Sequence, residues 1–198
     1  MKLSTGWIVA IVIIALILIG VMSGVGTYNK LVTKDEVVNQ QWANVQSVYQ
    51  RRADLIPNLV ATVKGVANFE QQTLTNVIEA RSKATSVNIN PKNLDAASLQ
   101  KFQAAQDGLS SALSRLMVVV ERYPELKATQ NFTELQAQLE STENRITVER
   151  RNFNEAAQDY NKYMRSFPTN MFAGMFGFQK KVYFEAQAGA EKAPKVEF

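Results

Sequence analysis

Trp7 to Val25 is an apolar run with no charged side chain inside it, and Lys2 is the only charged side chain before it. A helix rises about 1.5 Å per residue and crosses the hydrocarbon core of a bilayer in about 20 residues. The run therefore has the length and character of a single membrane span, placed at 7–26 behind a short tail at 1–6. Trp7, Ile8, Gly20, Gly24 and Val25 mark its limits and its small-residue face. Trp7 at one end and Tyr28 just past the other are residue types that settle at membrane interfaces. A cleaved secretory signal is the competing reading, since Ser23 and Gly24 imitate a cleavage site. The apolar stretch exceeds the ~7–15 residues of a signal and no Ala-x-Ala follows it, so an uncleaved anchor is adopted. Lys2 and the α-amine on one side, against Lys30 and Lys34 on the other, leave the positive-inside rule nearly balanced. The expectation adopted is a cytoplasmic body.

Two absences exclude more chemistry than any motif suggests. The chain has no Cys and no His. Thiolate nucleophiles, imidazole bases, disulfides and the usual zinc and copper sites are thereby removed. Glu-x-x-His pairs cannot exist, so di-iron bundle chemistry is excluded too. The net charge is +4 with acids and bases interspersed. No like-charge run reaches five, which gives no indication of nucleic-acid binding. A carboxylate-only metal site stays open by composition, but no cofactor and no metal is assigned.

After the span the pattern is helical. Val38, Val45, Arg52, Leu59 and Val66 recur every seven residues, interleaved with Trp42, Tyr49, Ile56 and Val63. Phe132, Leu139, Ile146, Phe153, Tyr160 and Phe167 form a second such row, with Leu135, Ala156 and Tyr163 beside it. A third runs through Leu99, Phe102, Leu109, Leu113, Leu116, Val120 and Tyr123. Apolar seams at this period pack helix on helix. Asn88, Asn90 and Pro91 signal a loop, and Tyr123-Pro124 and Phe167-Pro168 end helices. Pro57 predicts a kink or short break. The expected fold is all-α: an antiparallel up-and-down bundle of about four helices over 27–166, near 28–56, 58–85, 94–122 and 131–166, after a transmembrane helix. The first two of these elements are alternatively one long bent helix. Residues 167–198 form an apolar Met/Phe-rich tail with a short helix over Val182 to Ala193, and Pro194 to Phe198 frays.

Three groups of residues are candidates for function. Arg51, Arg52 and Asp54 precede Pro57, and Arg52 falls on the apolar seam, where a charge must be paired. It is read either as an anion or partner site, or as an internal ion pair with Glu121, Glu143 or Glu149; Arg145 belongs to the same candidate set. Glu121, Glu125, Glu134 and Asp95 form no convergent acid–base pair, so no catalytic residue is assigned. Asn152, Asn154 and Asn161 are poor helix formers in a strong helix, read either as hydrogen-bonding between helices or subunits, or as an exposed polar face. Phe167, Met171, Phe172, Met175, Phe176 and Phe178, followed by Lys180 and Lys181, suit a bundle cap, a subunit contact or an interfacial membrane contact.

Several runs resemble the LemA family of bacterial membrane proteins: Tyr28-Asn29-Lys30-Leu31-Val32, Gln50 through Val60 (with Arg51-Arg52-Ala53-Asp54-Leu55-Ile56-Pro57-Asn58), Glu79-Ala80-Arg81, Glu121 through Lys127, Leu135 through Ile146, Arg150 through Pro168, and Phe176-Gly177-Phe178. The resemblance implies an anchored all-α bundle in the bacterial inner membrane, with no known catalytic activity and no established catalytic residues to carry over. The family pattern has Tyr where this chain has Phe153, so a hydroxyl is missing there. The function expected is a non-enzymatic, membrane-anchored scaffold that contacts lipid and self-associates. Confinement to a plane raises effective concentration, and Gly20-x-x-x-Gly24 is a spacing that lets spans approach. The alternatives are an adaptor for another envelope protein and a membrane-remodelling protein that uses the tail.

Overall fold

The computed structural model describes residues 5–66, 69–89, 91 and 94–185, and the protein is all-α, with no strand among them. Lys2, residues 186–193 of the expected last helix and Pro194 to Phe198 lie outside the described residues. The helices are α1 (Thr5–Lys64), α2 (Gln71–Ser86), α3 (Ala96–Val120), the single turn α4 (Pro124–Lys127), α5 (Gln130–Arg165) and α6 (Thr169–Ala173). The chain divides into two compact units: Met1–Gln40 with Glu155–Lys181, and Gln41–Asn154 with Val182–Phe198.

The second unit is an up-and-down four-helix bundle, and its polar contacts define the directions. Ala53 meets Arg81 and Trp42 meets Ile89, so α2 runs antiparallel to α1. Ala84 meets Gln106 and Glu70 meets Arg122, so α3 reverses again. Arg52 meets Glu143 and Trp42 meets Phe153, which sets α5 antiparallel to α1. The predicted seams are the buried faces. Val45, Leu59, Trp42, Ile56 and Val63 are essentially inaccessible on α1, as are Leu109 and Leu116 on α3 and Phe132 and Phe153 on α5. One continuous cluster joins Ile56, Leu59 and Val63 to Leu74, Val77, Leu113, Leu126 and Leu139. Each such side chain contributes roughly 1.5–3 kcal/mol on burial.

Helix ends follow local chemistry. Asp95 caps α3 by accepting from the Ser98 backbone N–H at 2.7 Å. The Ser98 hydroxyl, and then that backbone bond, hold the Asp95 carboxyl below its ordinary range. Pro124 opens α4 at a position where a missing N–H costs nothing.

One boundary and one seam position differ from expectation. Helix α1 continues through Pro57 and ends at Lys64, beside Gly65. Pro57 has no N–H for the Ala53 carbonyl four residues earlier. Arg81 Nε of α2 donates to that carbonyl instead, at 2.7 Å, so the acceptor that proline orphans is satisfied from outside the helix. Phe167 leaves the α5 seam because α5 stops at Arg165, and its side chain is 81% exposed.

The first unit pairs the beginning of α1 with the end of α5 through the ion pair of Lys34 with Asp159, and Lys181 of the tail pairs with Asp35 on α1 (2.6 Å). Leu31, Val38, Ala157 and Tyr160 are buried here. Burial, with Asp35 adding to it, pushes the Tyr160 phenol up to about 12. From Trp7 to Met22 every residue of α1 is exposed.

The bond from Arg81 generates a prediction. Arg81→Ala should destabilise the full chain by about 1.5–3 kcal/mol, the usual weight of a hydrogen bond to a charged group. In a Pro57→Ala background, where residue 57 regains its N–H, the same change should cost clearly less. Denaturant melts of the four proteins measure the coupling, and equal costs in both backgrounds would contradict the assignment.

Candidate functional site

Arg52 sits on the α1 seam at 1% exposure, the one charge among the largest buried side chains. The heptad phase of α1 drives it inward; what makes this tolerable is the set of acceptors that meets it. Arg52 Nη1 donates to Ser110 Oγ at 2.8 Å and to Glu143 Oε1 at 2.7 Å. Its Nη2 donates to Gln106 Oε1 at 2.5 Å and, at 3.4 Å, to the Gln106 carbonyl. Gln106 Nε2 then donates to the Ala84 carbonyl at 3.2 Å. The Tyr49 ring lies 5.0 Å from the guanidinium carbon. Burial pushes the Tyr49 phenol up, while Arg150 and Arg52 pull it back. One side chain of α1 thus reaches α3 and α5 directly and α2 through Gln106. Only Arg52 Nε has no partner among the described buried side-chain atoms.

The other members of that candidate set are elsewhere. Glu143 is the carboxylate that pairs with Arg52; Glu121 pairs outward with Lys127 at 2.7 Å, and Glu149 accepts from Asn152 at 3.1 Å. Arg51 and Asp54 are exposed, Asp54 accepting from Gln50 at 2.8 Å. Arg145 is exposed at an open groove with Glu140, Asn144 and Val148. Another open groove lies between α2 and α3 at Asn76, Glu79, Lys83, Ser111 and Arg115. Among the described residues, no three Asp or Glu side chains gather as a metal site requires.

The asparagines use their amides on the backbone of their own chain. Asn154 Oδ1 accepts from the Phe184 N–H at 2.8 Å, while Asn154 Nδ2 donates to the Phe184 carbonyl at 3.0 Å. Asn161, two turns along α5, holds Lys181 in the same way, with both bonds at 2.8 Å. Asn152 bonds Glu149 on its own helix and takes no part in this. Around Phe184 the grip is completed by Trp42 and Phe153, whose rings lie 6.0 and 5.5 Å away, and by Arg150 4.7 Å from its centroid. Gln103 and Arg150 both donate to the Glu185 carbonyl, at 2.9 and 3.0 Å. Residues 182–185 are therefore non-helical, contrary to the expected helix over Val182 to Ala193: side chains of α3 and α5 take the backbone groups that a helix would need. Phe153 fills an aromatic pocket at 0% exposure.

Within the first unit, the Met/Phe segment packs on α1 through its phenylalanines. Phe172 approaches Gly24, 3.6 Å from where a Cβ would stand. Tyr28 meets Phe176 at 5.2 Å and Phe178 at 5.7 Å between ring centroids. The turn after α6 closes through Gly177 at φ 76°, a left-handed conformation that glycine adopts freely. Gly24 is thus covered by the chain's own Phe172 and is not free for a neighbouring span, whereas Gly20 has no such neighbour within 4 Å. Lys180 is exposed and Lys181 is half-buried on Asp35.

These features define an all-α, membrane-associated protein: a helical bundle with a buried cation and, among the described residues, one helix long and apolar enough to cross a bilayer. The chain belongs to the LemA family, whose pattern it matches over residues 41–198. It is similar to Magnetosome protein MamQ 1 and MamQ 2 of Paramagnetospirillum magneticum, each 26% identical over 181 residues, covering 83% of this chain and 66% of the relative. Magnetosome protein MamQ of Magnetospirillum gryphiswaldense is 27% identical over 180 residues, covering 82% of this chain and 66% of the relative. Protein LemA of Metamycoplasma hominis is 25% identical over 162 residues, covering 82% of this chain and 70% of that protein. The chain thus spans just under two thirds of the length of the magnetosome relatives.

Sequence reasoning flagged Arg52, Asn154 and Asn161 but missed Arg81, Gln106 and Ser110. A polar residue at position 106, between the apolar Phe102 and Leu109 of the α3 seam, was the available signal for Gln106.

Two predictions follow from these contacts. Glu143 is half-exposed and can return to water, whereas Arg52 cannot. Glu143→Ala should therefore cost more than Arg52→Met, at about 3–5 kcal/mol for stranding a buried charge. Chemical denaturation gives the order, and the reverse order would contradict the network. Asn154→Leu removes both bonds to Phe184, and the Phe184 amide should exchange about tenfold faster or more. Asn144→Leu, on the exposed side of α5, should leave it unchanged.

Proposed function

We propose that this protein is a non-enzymatic scaffold, anchored in the bacterial inner membrane by residues 7–26, that self-associates on one membrane face. The observation that carries the reading is α1 itself: one uninterrupted helix, Thr5–Lys64, holds both the apolar run and the central seam of the bundle. An exposed apolar stretch of that length requires lipid or protein around it. The groups that would attract chemical interest support structure instead. Arg52, Gln106 and Glu143 hold helices together, and Asn154 and Asn161 hold the tail. Spans fixed in one plane raise the local concentration of their bodies, which favours even weak contacts between copies. Gly20 leaves a surface on which a neighbouring span can approach closely. Lys30 and Lys34 follow the span, and exposed Lys162, Arg165 and Lys180 belong to the same unit, which supports a cytoplasmic body.

The full-length chain extracted in mild detergent tests this by light scattering. A homogeneous particle holding several 22.1 kDa chains is expected. A monomer would contradict self-association, and release from membranes by alkali without detergent would contradict the anchor.

A further inference from the structure

The Met/Phe segment has two faces, and only one is used inside the protein. Phe172, Phe176 and Phe178 turn toward α1 at Gly24 and Tyr28. Phe167, Met171 and Met175 turn away, at 81, 64 and 76% exposure. Three large apolar side chains so exposed within nine residues cap nothing. Their level along α1 is fixed by the residues their neighbours touch. Gly24 and Tyr28 bracket the end of the apolar run, whose 19 residues from Trp7 to Val25 match the hydrocarbon thickness of about 30 Å. Gly20, one turn deeper, has no tail atom near it. The segment therefore lies where headgroups meet acyl chains if the run spans the bilayer. The same unit exposes Lys30, Lys162, Arg165 and Lys180, cations suited to anionic headgroups. Flexible Met side chains suit a fluid apolar phase.

We propose that Phe167, Met171 and Met175 form a second, interfacial lipid-contact site, which inserts into the headgroup–acyl boundary of the leaflet on the body side of the span. The bilayer thus holds this chain at two places, one crossing it and one lying in its surface. This rests on the reading of residues 7–26 as a span, and the test separates the two claims.

The absence of cysteine makes every introduced thiol unique. Spin labels are placed on Met171→Cys and Met175→Cys, on Leu16→Cys inside the run, and on Ser111→Cys, exposed on α3. Each full-length variant is reconstituted in vesicles of phosphatidylcholine and phosphatidylglycerol. Collisions with oxygen, which concentrates in lipid, are compared with collisions with a water-soluble nickel chelate. Positions 171 and 175 should show a several-fold loss of nickel collisions relative to position 111 while remaining open to oxygen. Nickel collisions equal to those at position 111, with position 16 reporting lipid, would overturn the inference and leave the span standing. Low collisions with both reagents would overturn it in favour of a protein contact. Water-like values at position 16 as well would overturn the span and this site together.

Discussion

The bundle unit depends on a single buried guanidinium. Every other position in the α1 seam from Val38 to Val63 is apolar, and at Arg52 the seam carries a full positive charge at 1% exposure. Such a charge cannot be left without partners, so whichever helices surround α1 must bring acceptors to that level. Ser110 and Gln106 do so from α3, Glu143 from α5, and Gln106 passes the constraint on to Ala84 of α2. Apolar rows alone would let helices slide by a heptad at modest cost. The guanidinium does not, because a shift of one turn would separate it from its acceptors. Packing supplies the stabilisation and the cation supplies the register.

A second theme is the use of side chains to satisfy backbone that ordinary helix geometry abandons. Pro57 orphans the Ala53 carbonyl, and Arg81 answers it from a different helix. The tail has no strand or helix partner over residues 181–185, and Asn161 and Asn154 offer amide groups that imitate one. An amide side chain that both donates and accepts can do this at a single residue; neither Asp nor Leu can. The two asparagines tolerated in the interior of α5, despite their poor propensity, are explained by this use.

Much of this architecture was legible in the chain. Seven-residue apolar rows specify helices and their buried faces, because only a helix presents such rows as a stripe. Arg52 was legible as a charge on a seam, but its partner was not: Glu143 and Glu149 both lie on α5, where the axial offset against α1 selects Glu143, and Glu121, just past the end of α3, pairs with Lys127 instead. Pro57 left a kink, a break or one long bent helix open; α1 runs through it, and the carbonyl it orphans is met by Arg81, a contact across 28 residues that no local pattern announces. Residues 182–185 looked helical by composition, and tertiary hydrogen bonds overrode that local preference. Phe167 kept the heptad phase of α5 on paper, yet the helix had already ended at Arg165.

The central claim is that Arg52 makes the four helices of the bundle unit one cooperative body. Native-state amide exchange on the full-length chain, compared with Arg52→Met, tests it most directly. The account predicts that protection falls together in residues 41–64 of α1, in α2, in α3 and in residues 130–154 of α5. A loss confined to α1, with α2, α3 and α5 keeping their protection, would contradict it.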